Sequence, residues 1–284
     1  MSTFLAACIQ MSSDTNVEHN LQRVENYIRR AVSHGASLVV TPENTALLGP
    51  QFHKVDCAEP LTGSTATFFA KLADELNIHL LIGSLAECRI DENGQVDQQR
   101  CYNTSVLFGP SGDLLASYRK IHLFDVDVPG GLTINESDSI CAGEQLVVAD
   151  TPLGRIGLSI CYDLRFPEMY RALVDQGAEI LTVPSAFTLT TGKDHWHTLL
   201  KARAIECQSF VLAPGQWGTH DAKGMRQSYG HSLIIDPWGH ILAAKGHGEG
   251  PCYAEIDLSK VAKVRQSIPV SLHRKVDHST ITPS

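Results

Sequence analysis

The sequence predicts one α/β domain, residues 1–284, and three observations carry that prediction. Short apolar runs alternate with apolar stripes at helical spacing along most of the chain. No linker-like run and no internal repeat breaks the alternation. With 284 residues, 43% of them hydrophobic, the chain can bury a large core.

The elements follow in order. Phe4 to Gln10 is an apolar run with no basic residue before it, so it reads as a first strand and not as a leader peptide. A helix begins near Asn16, with Val17, Leu21, Val24, Ile28 and Val32 on one stripe and Gly35 as its stop. Ser37 to Thr41 is a short buried strand that ends in Pro42-Glu43-Asn44. Ser64 to Asn77 is a second helix, turning Phe68, Phe69, Leu72 and Leu76 inward, and Ile78 to Ala86 is a strand. Asp91 to Gly94 is a turn; Tyr102 to Phe108 and Leu114 to Tyr118 are strands, and Arg119-Lys120 closes the second. Asp125 to Ala142 has prolines, glycines and no periodicity, which predicts a functional loop of the lid kind. Ile156 to Ile160 is a strand, and Pro167 opens a helix with Met169, Leu173 and Val174 on one face and Gly177 after it. Further on come a strand over Ala178 to Val183, a helix over His195 to Cys207 and a strand over Phe210 to Ala213. A hairpin over Ser232 to Ala243, turning at Asp236 to Gly239, and a last strand over Cys252 to Ile256 complete the set. A polar tail from about Lys263 is expected to fray or to reach a neighbouring subunit.

Composition narrows the function. A formal net charge of −8 without a basic block argues against nucleic acid, and no apolar run reaches the roughly 18–20 residues of a membrane span. Eight cysteines lack C-x-x-C spacing, which predicts reduced thiols in a cytoplasmic protein.

The chain is organised around Gly157 to Glu168. Its apolar half makes a buried strand, and Cys161 stands where that strand turns toward the Pro167 helix. Backbone N–H groups and the helix's positive end at such a corner favour a thiolate and a developing oxyanion. A cysteine there is either a buried structural thiol or a nucleophile. Glu43 and Lys120 also stand directly after apolar strands, so three reactive residue types converge at one sheet edge. Each alone has a bland reading as a loop acid or a surface charge. Together they supply a carboxylate base, an ammonium for an oxyanion and a nucleophile, so no cofactor and no metal is expected.

Three blocks, Thr41-Pro42-Glu43, Arg119 to Leu123 and Ile160 to Glu168, resemble the catalytic blocks of the nitrilase superfamily of carbon–nitrogen hydrolases. The resemblance extends from about Phe4 to about Arg274, through Pro184 to Phe187, Ala202 to Glu206 and Tyr229 to Gly239. It implies a four-layer α-β-β-α sandwich, paired into homodimers or larger homo-oligomers. It also implies that Glu43 is the general base, Cys161 the thioester-forming nucleophile, and Lys120 with the Tyr162 backbone N–H the oxyanion holder. Glu136 matches a further glutamate of the superfamily, in a loop of variable length. The blocks look most like the branch that includes deaminated glutathione amidases, with ω-amidases close by. A small-molecule amide substrate is thereby implied, and a carbamoyl amide or a nitrile stays open as the substrate. Trp217 departs from the pattern, being bulky where a smaller residue is expected.

Arg165, two positions before Pro167, is a candidate clamp for a substrate carboxylate, and Thr191 a donor to the same group. Phe187 closes the set of candidate substrate contacts. Two rival classes compete with this reading. A zinc hydrolase is suggested by His195-Trp196-His197, but histidines two apart on a helix point in different directions. A catalytically silent scaffold sits poorly with Glu43, Lys120 and Cys161 all present.

Overall fold

The computed structural model describes residues 3–91, 93–127, 133–221 and 224–275. Two six-strand paths form its centre. The first sheet runs, in spatial order, Gly250–Asp257, Thr3–Gln10, Ala36–Val40, His79–Ile90, Val96–Phe108, Leu114–Arg119, with Ile140–Cys141 added beside Val96–Phe108. The second runs Ile241–Ala244, Leu233–Ile235, Phe210–Ala213, Ile180–Thr182, Gly154–Leu158, Val148–Thr151. Parallel pairs occupy the middle of each sheet and antiparallel pairs the flanks. Central strands buried on both faces read as unbroken apolar runs, which is what the sequence shows at Leu38-Val39-Val40 and Phe210-Val211-Leu212.

Side-chain alternation separates the layers. Ala7, Ile9, Val39, Leu80, Ile82, Val106 and Phe108 pack against Val24, Ile28 and Ala31 of helix Val17–Ser33 and Phe69 and Leu72 of helix Ser64–Leu76. Their neighbours Ala6, Cys8, Leu38, Val40, Leu81 and Leu107 face the other way, into a core shared with the second sheet. That core continues to Met169, Tyr170 and Leu173 of helix Pro167–Asp175 and to Trp196, Leu200 and Ala204 of helix Leu189–Cys207. The architecture is the expected α-β-β-α sandwich. Burial near 25 cal/mol per Å2 of apolar surface makes these interlayer faces the main source of stability.

Helix signals at the ends were legible. Asn16 caps the first helix by accepting from the His19 N–H at 3.0 Å. Pro167 takes the first position of its helix, and Gly177 follows with φ +95°.

Several expectations need correction. Helix Leu189–Cys207 starts at Leu189 and not at His195, because its first turn is polar and carries no apolar stripe. The stretch Asp125 to Ala142 is not featureless: it holds strands Asp125–Asp127 and Thr133–Asn135, a 3-10 turn Glu136–Asp138 and Ile140–Cys141. Residues 128–132, and with them the expected lid, lie outside the described residues, as does Glu92 of the expected turn. The tail from Lys263 continues helix Ser259–Ser267 into the short helix Val270–His273. It is pinned to its own chain by Gln208 donating to the Ile268 carbonyl at 2.6 Å and by Arg274 on Asp175 at 2.8 Å. The residues beyond 275 lie outside the description. Helix Gln51–Asp56 and the hairpin Trp217–Thr219/Gln227–Tyr229 were missed, being too short to show a period.

Candidate active site

Glu43 follows the parallel strand Ala36–Val40, in a loop held from several sides. Gly83 lets it come close: a Cβ there would sit 2.2 Å from the Thr41 carbonyl and 2.3 Å from that of Pro42. Asn44, with φ +59°, donates its N–H to Ser84 Oγ at 2.8 Å, and Gln216 Nε2 donates to the Glu43 carbonyl at 3.0 Å. The carboxylate itself is buried. Oε1 accepts from Asn103 Nδ2 at 2.9 Å and from Lys120 Nζ at 3.2 Å, and Oε2 accepts from the Ala186 N–H at 2.8 Å.

Lys120, the residue after strand Leu114–Arg119, is 1% exposed and reaches two carboxylates. Its Nζ lies 2.7 Å from Glu136 Oε2 and 3.2 Å from Glu43 Oε1. Glu136 also accepts from the Phe124 N–H at 2.8 Å and from Asn103 Nδ2 at 3.2 Å. The variable loop therefore delivers its glutamate onto the expected lysine. Asn103, which the sequence did not single out, bridges the two carboxylates with one amide.

Cys161 sits at the corner with φ +50°, a left-handed conformation that costs a non-glycine residue roughly 1–2 kcal/mol. The surroundings hold it there. Its N–H donates to the Pro184 carbonyl at 2.9 Å, and a 3-10 turn, Cys161–Arg165, separates it from the helix at Pro167. Asp163, fully buried, ties the corner down: it accepts from Tyr118 Oη at 2.8 Å, the Ile160 N–H at 2.8 Å and the His122 N–H at 3.1 Å. His122 Nδ1 adds a contact at 2.7 Å, and its ring stacks on Phe166 with centroids 3.7 Å apart. His122, two residues after Lys120, thus braces the nucleophile's turn. A carboxylate two residues after a cysteine carries no sequence signal that separates bracing from catalysis.

The protonation pattern is set by these neighbours. Burial and the adjacent Glu43 push the Cys161 thiol well up, against the pull of Lys120. Burial works against charge on Lys120, yet Glu136 and Glu43 outweigh it and hold the ammonium above its ordinary range. Burial likewise opposes charge on Glu136, but Lys120 and then Lys54 hold its carboxyl below the ordinary range. The expectation of a thiolate stabilised by the corner is therefore corrected: the helix start is a full 3-10 turn away, and burial together with the carboxylate beside the sulfur outweighs Lys120. Such a site can move a proton from sulfur to carboxylate as bonding to an electrophile begins.

All four groups line one cleft of about 320 Å3, together with Asn44, Leu48, Lys54, Phe124, Ile134, Ala186, Thr188, Leu189, Thr190, Met225 and Arg226. Arg165, Phe187 and Thr191 adjoin it without being among its lining residues. The Arg165 guanidinium lies 5.2 Å from the centre of the Phe187 ring and 3.3 Å from His195 Nδ1, and Thr191 Oγ1 is 2.8 Å from Thr188 Oγ1. His195 and His197 do face different neighbours, Arg165 and His231. Among the described residues no group of three or more His, Cys, Asp or Glu is arranged to hold a metal ion, and no helix is long and apolar enough to cross a membrane.

Comparison with known proteins agrees with the geometry. The carbon-nitrogen hydrolase family model matches residues 5–266. A deaminated glutathione amidase of Synechocystis is 45% identical over 96% of this chain and 99% of its own. The human omega-amidase NIT2 is 38% identical over 98% of this chain and 97% of its own. Among solved structures, Saccharomyces cerevisiae Nit3 superposes with a TM-score of 0.83 at 31% identity, over 98% of this chain and 97% of the other. The Caenorhabditis elegans NitFhit protein gives 0.88 at 40% identity, over 97% of this chain and 66% of the other. With its fold, its buried Glu–Lys–Cys constellation and these relatives, the chain belongs to the carbon–nitrogen hydrolase family of the nitrilase superfamily, as a hydrolase of amides.

Proposed function

We propose that the chain hydrolyses deaminated glutathione to 2-oxoglutarate and cysteinylglycine through a thioester on Cys161. The convergence of Glu43, Lys120 and Cys161 on one cleft carries the reading. Glu43 takes the Sγ proton as sulfur attacks the amide carbon, and Lys120 Nζ with the Tyr162 N–H holds the oxyanion. The first N–H groups of a helical turn lack partners within it, which suits that task. When the C–N bond breaks, Glu43 returns the proton to the leaving amine. A water, deprotonated by Glu43, then attacks the thioester, and the acid and the free thiol are released. Glu136 and Asn103 keep Lys120 charged and Glu43 oriented. Arg165 holds the carboxylate of the acyl group, beside Phe187 and Thr191.

The substrate choice rests on the relatives named deaminated glutathione amidase, at 45% and 41% identity. A second reading, ω-amidase action on 2-oxoglutaramate, is supported by the relatives of that name at 38% identity. The two differ in what leaves, a dipeptide or ammonia. Comparing kcat/KM for the two substrates decides between them: deaminated glutathione should win by at least about tenfold, roughly 1.4 kcal/mol. A preference for 2-oxoglutaramate replaces the first reading with the second. A homo-oligomeric, cytoplasmic enzyme completes the proposal, and eight free thiols support the reducing compartment.

A further inference from the structure

Lys54 is a buried cation that the chemistry described so far leaves unused. It lies on helix Gln51–Asp56, is 8% exposed, and lines the cleft that holds Cys161. Its charge reaches Glu136 and lowers that carboxyl's proton affinity, yet among the described residues it forms no ion pair and no hydrogen bond. A largely desolvated ammonium with no direct ion pair, facing a carboxylate that Lys120 already holds at 2.7 Å, can still meet an incoming anion. Arg226 lines the same cleft from the loop before strand Gln227–Tyr229. Its guanidinium donates to the Gly49 carbonyl, just ahead of the Lys54 helix, so the two cations are joined at one wall. It makes no ion pair with a described carboxylate either.

We infer that Lys54 and Arg226 form a subsite for the carboxylate of the leaving group, the C-terminal carboxylate of a departing dipeptide. This rests on the deaminated glutathione reading and extends it. A substrate with carboxylates at both ends needs cations in two places. Arg165 belongs to the nucleophile's own turn and is not among the residues that line the cleft, whereas Lys54 and Arg226 line it from two other segments. An amide that releases only ammonia has nothing to offer the second set. Leu48, Leu189 and Met225 on the same cleft supply apolar surface for the cysteinyl side chain between the charges.

The test compares three substrates on the unaltered enzyme: deaminated glutathione, the same molecule with its C-terminal carboxylate amidated, and 2-oxoglutaramate. Amidation should lower kcat/KM at least about tenfold, mainly through KM. In Lys54→Gln and in Arg226→Gln the penalty for amidation should shrink toward nothing, and the ratio of deaminated glutathione to 2-oxoglutaramate turnover should fall at least tenfold. Amidation without effect on the unaltered enzyme overturns the subsite. So does a variant that loses the same factor on all three substrates, since that is the mark of a structural role. If 2-oxoglutaramate proves the better substrate while amidation still costs tenfold, the substrate assignment falls and the subsite stands.

Discussion

Lys120 Nζ stands between two carboxylates, 2.7 Å from Glu136 and 3.2 Å from Glu43, with its side chain almost wholly buried. Burial first, and then the adjacent Glu43 carboxylate, keep the neighbouring thiol protonated, so the resting site holds sulfur as SH with its base already in place. Removing either acid should therefore change more than one proton affinity at once. Glu43→Gln keeps the shape but removes the base, and kcat should fall by about a thousandfold or more. Glu136→Gln leaves the base, relaxes the hold on Lys120 and should cost less, about 10–100-fold. Single-turnover acylation rates measure both, and a larger loss at Glu136 than at Glu43 would reverse their assigned roles.

Cys161→Ala should abolish turnover with the fold retained, because Cys161 is the only thiol among the described residues that line the cleft. Cys161→Ser should be nearly dead as well, since a carboxylate is poorly matched to a hydroxyl of far higher pKa. Intact-mass spectrometry after mixing with substrate should show an acyl adduct on the parent and none on Cys161→Ala.

Asp163→Asn probes the brace beneath the nucleophile. The carboxylate accepts from Tyr118, Ile160 and His122 at once, and an amide can serve these donors only in part. Leaving a buried donor unmatched costs about 1–3 kcal/mol. Thermal unfolding should shift down accordingly, and kcat should drop further than KM rises, because the strained Cys161 backbone loses its support. An unchanged kcat in a folded variant would falsify the bracing role.

Alkaline pH should destabilise the fold through its buried thiols. Burial pushes Cys101 up to about 11 and Cys207 and Cys252 up to about 12, and it raises Cys8 and Cys161 well above the ordinary range. Below the unfolded thiol value, near 8.5–9, both states keep these protons and stability is full. Between there and about pH 11–12 only the unfolded chain releases them, so stability falls as pH rises, by about 1.4 kcal/mol per unit for each thiol. Denaturant midpoints measured from pH 7 to pH 10 should be flat at first and then decline. Replacing Cys207 by Ala should flatten the decline, and an unaltered slope in that variant counts against the linkage.

How far the sequence carried can be judged residue by residue. Strand and helix periods placed Glu43, Lys120 and Cys161 at strand exits, but not at one sheet edge as expected: Glu43 and Lys120 leave the first sheet and Cys161 leaves the second, and the packing of the two sheets brings the exits to one cleft. Asn103 and Lys54 stayed hidden. Asn103 lies inside strand Val96–Phe108, where an inward polar residue looks like any other strand residue until its opposite face is known. Lys54 lies on a helix of six residues, too short to show a face. The proton state of Cys161 is illegible for a related reason: the helix that follows is visible in sequence, but the burial of the sulfur and its nearness to a carboxylate are not.

Arg165 is where specificity for an acyl carboxylate is expected to reside, and it is the most exposed of the assignments to test. Its guanidinium forms no ion pair with a carboxylate among the described residues; it lies over Phe187 and beside His195 Nδ1. A cation held by rings and an imidazole keeps its anion-binding capacity free, and its planar fork can take a carboxylate by two hydrogen bonds. A charged hydrogen bond to a substrate carboxylate contributes about 1.5–3 kcal/mol, where an exposed surface pair contributes under about 1. Arg165→Ala should therefore lower kcat/KM by about 10–100-fold for deaminated glutathione and 2-oxoglutaramate alike, because both carry the same acyl group. Arg165→Lys should recover only part, lacking the second donor. The informative control is a plain aliphatic amide without a carboxylate, against which Arg165→Ala should lose little. Equal losses on that amide would mean that the arginine merely supports the Cys161 turn, and silence on all three substrates would move the carboxylate clamp elsewhere in the cleft.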